Sequence, residues 1–199
     1  MTMNSDDLEL RERLDLIESM IGEGRRTTEN WGWVFVLWGV AYYVAIAWSA
    51  WRPGAWAWPV TMVTASVVTW LLVPHMRGQG PATTIGRALG SIWMGTGASL
   101  FVLFMALGFT HRLTDMHLFV AVLGAMLGAA NAASSMILKW KMQFACAVVW
   151  WGATLAACFG TVNQASMAFL VAIFFCQIVF GVYGTVSASR RQRLGASHA

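Results

Sequence analysis

Four histidines (His75, His111, His117, His198) and three cysteines (Cys146, Cys158, Cys176) are the first places to look for chemistry. Their spacing assembles no site. No two histidines stand three or four residues apart, as a helical metal or haem pair requires, and no two cysteines have CxxC spacing. No metal centre and no cofactor is therefore expected. An odd number of cysteines excludes full pairing within the chain, so buried free thiols are the expectation. A serine hydrolase needs a base beside its serine. His117 is the candidate, and no GxSxG motif accompanies it. No enzymatic activity is expected.

Two amides carry more information, because they interrupt long uncharged stretches. Gln177 stands near the middle of one such stretch and Asn131 in the second half of another. An amide within a bilayer must find a partner, and interhelical amide bonds contribute about 0.6–2 kcal/mol. Helix–helix adhesion is the first reading. The second is a ligand cavity in which Gln177 and Asn131 meet the deeper aromatic residues Trp38, Tyr42 and Trp150. Of the 12 tryptophans, those near the segment ends are expected to anchor at headgroup level.

The elements that carry these residues follow from composition. The chain has 199 residues, 58% hydrophobic and 11% charged. Soluble domains are about 25% charged. The fold class expected is all-α: a polytopic integral membrane protein with six transmembrane helices, at about 31–51, 55–73, 89–109, 117–138, 142–160 and 167–188. Each is near the roughly 20 residues that cross a hydrocarbon core. Backbone polar groups in lipid must be satisfied within the segment, which requires helices, and the alternating pattern of a β-barrel is missing. The weakest segment is the second, set off by Arg52-Pro53-Gly54 and carrying Pro59 at its start; a re-entrant segment is the alternative there. No Asp, Glu, Lys or Arg lies well inside any segment, which disfavours ion-coupled carriers, proton relays and voltage sensors.

The overall charge of +4 is unevenly divided. Eight of the nine acids lie in residues 1–30, and the bases elsewhere sit in short loops and at the C-terminus. That distribution argues against a nucleic-acid surface. With six spans and an inner N-terminus, eleven Lys and Arg fall on the inside and two, Arg52 and Arg112, outside. This bias places both termini in the cytoplasm, and the expected location is the bacterial inner membrane. No signal peptide or lipidation motif is read.

Residues 1–30 form a separate unit: a cytoplasmic amphipathic helix and linker, joined to the transmembrane domain 31–188 and followed by a basic tail, 189–199. Leu10, Leu14, Ile17 and Ile21 share one helical face. With Leu14 at heptad position a, Arg13 and Glu18 fall at g and e, a workable pair between two parallel copies. Gly22 and Gly24 are expected to end this helix, and Thr27 or Thr28 to cap the first span. The helix has three possible destinations: the ends of its own bundle, another protein or a second copy through residues 5–21, or the lipid surface. Its acidic charge counts against lipid.

Gly124, Gly128 and Ala132 recur every fourth residue, a pattern that lets helices approach closely, with a partner inside the same bundle preferred. In size and span count the chain resembles the small six-helix substrate-binding subunits of vitamin transporters, a likeness of architecture alone that implies a ligand within the bundle. The expected function is that of a non-enzymatic accessory, sensor or anchoring subunit acting through residues 5–21. Binding or transport of a small apolar or aromatic molecule is the alternative.

Overall fold

The computed structural model describes residues 5–52, 56–76, 84–109 and 115–196. The described residues form eight α-helices and one π-helical turn: α1 (Ser5–Asn30), α2 (Gly32–Trp51), α3 (Ala57–Met76), α4 (Thr84–Phe109), α5 (Met116–Leu138), α6 (Lys141–Phe159), α7 (Val162–Ile173), the π turn (Phe174–Val179) and α8 (Phe180–Ala196). Five helical stretches are long and apolar enough to cross a membrane, and Ala57–Leu72 is a shorter apolar helix. The Pro53-Gly54 turn and the loop bases Arg77 and Arg112 lie outside the described residues.

Several boundaries differ from those expected. The third and fourth apolar helices begin earlier, at Thr84 and Met116. The last begins at Val162 and runs on through the basic segment to Ala196, so most of the expected tail is helix. Gly22 and Gly24 do not end α1, which is continuous to Asn30. A helical glycine costs about 1 kcal/mol relative to alanine, and Gly24 offsets this by close approach. A Cβ there would lie 2.6 Å from Ile85 Cγ2 and 2.7 Å from Leu138 Cδ2. Thr27 and Thr28 are not caps; their hydroxyls bond back to Glu23 O and Gly24 O, 3.0 and 3.1 Å away. The chain breaks step only at Trp31 (φ −88°, ψ 3°), whose N–H is shared by Thr27 O and Thr28 O. α1 and α2 are thus nearly one rod.

α5 and α6 form the best-packed pair. The small-residue face of α5 meets α6 of the same chain: a Cβ on Gly124 would stand 2.6 Å from Thr154 Oγ1 and 2.9 Å from Trp150 O, and one on Gly128 would enter the Trp151 indole. Thr154 Oγ1 donates across this contact to Ala121 O at 3.3 Å. Asp115 starts α5 by accepting from His117 N and Leu118 N. Lys139 ends it in the left-handed conformation (φ 48°), in which Lys139 N–H and Trp140 N–H close on Met136 O and Ser135 O. α7 opens with a capping box between Thr161 and Gln164, which satisfies two otherwise orphaned amides.

α2 and α8 run antiparallel with their backbones in contact. A Cβ on Gly181 would lie 2.7 Å from Gly32 O, and one on Gly184 would lie 3.2 Å from Glu29 O. α3 packs on α2, and α4 touches mainly α5, at the edge of the bundle.

Candidate functional site

Three regions bring together the residues singled out in the sequence. The first is α1, whose two halves differ. The half near α2 is fixed to the bundle. Arg25 Nε donates to Leu138 O at 2.7 Å, and its Nη2 donates to Lys139 O. A guanidinium there meets the negative end of the α5 dipole. Buried Glu29 pairs with Arg191 of α8. In the other half, every residue from 9 to 19 is exposed. Leu10, Leu14 and Ile17 are 58%, 52% and 51% exposed, while Ile21 is half-buried.

The second region is a layer of buried polar groups in the half of the bundle next to α1. On α6, Gln143 lies between Trp140, whose ring is 5.2 Å from that of Phe180, and Cys146, whose carbonyl accepts from Cys176 Sγ at 3.5 Å. These two contacts bracket Gln177 at the same level on the π turn. On α5, Asn131 and Ser134 lie between Gly128, set against Trp151, and the two-residue connection to α6. That places them opposite the start of α6. Three neighbouring elements therefore carry buried polar side chains at about one level.

Few of these groups find protein partners. Asn131 Nδ2 donates to Leu127 O of its own helix at 2.8 Å, so Asn131 does not join two helices. Asn131 Oδ1, Ser134 Oγ, both amide atoms of Gln143 and Gln177 Oε1 are buried with no protein partner. Each such atom costs about 1–3 kcal/mol when it is also dry. Trp150 Nε1, one level deeper, is in the same position, as is Ser49 Oγ on α2.

The third region is aromatic and lies toward the other end. Tyr42 is set against Trp38, Trp58 and Phe169, with ring centroids 6.3, 6.2 and 6.0 Å away. Phe119 lies against Trp58 at 4.9 Å and Phe169 at 5.6 Å, and Trp150 is 6.2 Å from Phe169. These rings occupy one another's faces and edges. Tyr43 ties the cluster to α7 by donating to Leu170 O at 2.9 Å. Trp38, Tyr42 and Trp150 thus share one packed cluster, whereas Asn131 and Gln177 belong to the polar layer.

His117 faces no serine. Its Nδ1 donates to Ala157 O at 2.7 Å, tying the start of α5 to the end of α6. Among the described residues no group of three or more His, Cys, Asp or Glu could hold a metal ion. The expected tryptophan anchors Trp51, Trp56 and Trp70 are 82%, 75% and 76% exposed. The Arg52 guanidinium lies 5.6 Å from the centre of the Trp51 ring.

Sequence reasoning missed Gln143, Arg25 and the Gly32–Gly181 contact. The last had a signal: Gly181, Thr185 and Ser189 repeat the four-residue spacing of small residues seen in α5. Comparison of the chain with protein-family models, with curated proteins and with solved structures found no match.

Proposed function

We propose that the protein is a six-span protein of the bacterial cytoplasmic membrane, both termini inside, which acts without catalysis as an accessory, sensor or anchoring subunit. Its working part on this reading is the free half of α1. The observation that carries this is the contrast within that one helix: residues 24–30 are fixed to the bundle, and the exposed apolar stripe continues the same face. From Ile21 the steps of three and four lead to Gly24 and Thr28, both buried. The stripe of Leu10, Leu14, Ile17 and Ile21 therefore overhangs the ends of α4 and α5.

This geometry favours a foreign partner over a second copy. A parallel partner helix on the stripe meets Ile85 and Leu138 at the level of Gly24 and must stop there. The α1 of a second copy has to continue into its own α2 and would collide. A partner helix that ends at the membrane surface has no such conflict.

The test is deletion of residues 1–20, which removes the free half and keeps Gly24, Arg25 and Glu29. Insertion and thermal stability in detergent should be unchanged, and copurifying partners should be lost. An unchanged partner set overturns the proposal. Cysteine labelling tests the topology: Ser5→Cys should react only from the cytoplasm and Asn163→Cys only from outside. The alternative, a small apolar or aromatic ligand inside the bundle, is weaker because the rings that would line its site already pack on one another.

A further inference from the structure

We propose that the polar layer formed by Asn131, Ser134, Gln143 and Gln177 is a binding site for water inside the bundle. Five buried atoms without protein partners lie at this level on α5, α6 and the π turn. Their chemistry defines the ligand. Asn131 Oδ1, Gln143 Oε1 and Gln177 Oε1 need a donor, Gln143 Nε2 needs an acceptor, and Ser134 Oγ serves either way. The ligand must therefore both donate and accept. It must also be uncharged, because the layer contains no ionised side chain to balance a charge. It must be small, because none of the four residues is more than 4% exposed. Water meets all three conditions. A buried water makes about three hydrogen bonds, so five atoms suit about two molecules.

The arrangement is that of a built site, not of scattered defects. Gln143 is 0% exposed and has both ends of its amide unpaired. An isolated amide in that state would favour replacement by leucine. Ser134 faces the same level from α5, and Gln177 reaches it from a π-helical turn, a geometry that recurs where backbones adapt to bound groups. The far half of the bundle, by contrast, is closed by aromatic rings.

Cys146 and Cys176 are natural reporters. Cys146 is one helical turn from Gln143 on the same face, Cys176 adjoins Gln177, and both thiols are buried and free. Brief X-ray irradiation of the full chain in lipid nanodiscs generates hydroxyl radicals wherever water is bound, and these oxidise adjacent side chains. Peptide mass spectrometry, with each rate normalised to the free amino acid, should show Cys146 and Cys176 labelled several-fold faster than buried Phe169. In Ser134→Ala/Gln143→Leu the cysteine labelling should fall several-fold, with exposed Met94 and Met136 unchanged. Labelling no faster than that of Phe169 in the native chain overturns the proposal. So does undiminished labelling in a double variant that keeps its thermal transition. Should that variant fail to fold, the native chain and Ser134→Ala alone decide the matter by the same rates.

Discussion

α4 and α5 are neighbours in sequence and nearly equal by composition. The apolar stretches Thr84–Leu107 and Met116–Leu138 have 24 and 23 residues and the same mean hydropathy, 1.6, yet of the most apolar 18 residues in each, 6% are buried in the first and 44% in the second. Both carry small residues at four-residue spacing. The difference lies in what those residues meet. Gly124, Gly128 and Ala132 stand four apart and form one flat face on which α6 seats its backbone and the Trp151 ring. α4 repeats that spacing in Ser91, Gly95 and Ser99, yet these residues are exposed, and a Cβ on Gly90, Gly95 or Gly97 meets nothing within 4 Å. Hydropathy measures whether a helix tolerates lipid. Whether it packs depends on what its small residues meet, not on their spacing alone.

That contrast can be broken by substitution. The largest effect is expected from Gly124→Leu, whose side chain has to displace the Trp150 backbone; it should destabilise by roughly 3 kcal/mol or more, while Gly95→Leu leaves the thermal transition in detergent in place. If the two variants melt alike, the distinction between the helices fails. Next is Arg25→Ala. It removes two charged hydrogen bonds from the end of α5 and should cost about 2 kcal/mol, measured as a lowered unfolding temperature with the α4 surface unaffected. Gly95→Ala should stabilise by up to about 1 kcal/mol, since it gains helix propensity without a clash; a loss would mean that α4 has a packed neighbour at that point. The smallest expected effect is from Thr154→Val, which deletes the bond to Ala121 O and should cost about 0.6 kcal/mol. A double-mutant cycle with Gly124→Ala would show how far that bond depends on close approach.

The apolar helices were legible because a run without charge leaves the chain few alternatives. The α5–α6 contact was legible because three small residues on one face are a local pattern. Other features depended on what a residue meets, which no local pattern records. Gly24 was expected to end a helix, and instead it admits Ile85 and Leu138. Gln143 stands three residues inside the start of α6, where a glutamine ordinarily reaches the interface; its burial follows from the neighbours that cover that end. Arg25 counted only as one of the eleven inner bases, and its partners, Leu138 O and Lys139 O, are more than a hundred residues away in sequence. Asn131 shows the opposite limit. Its burial was foreseen, and its partner, Leu127 O, lies on its own helix.

The π turn at Phe174–Val179 has a consequence for phase. Tyr183 stands about five α-helical turns beyond Ala165, and in an unbroken α-helix the two would point the same way. Ala165 is buried and Tyr183 is exposed, while Phe180, Gly181 and Gly184 are buried in its stead. The wide turn has rotated everything after it by about one residue, or roughly 100°. Without that rotation a tyrosine would face the side on which Gly181 and Gly184 now meet Gly32. The turn works as a vernier: it lets one long helix present α7 to the α5–α6 pair and α8 to the α1–α2 rod, each setting made independently of the other.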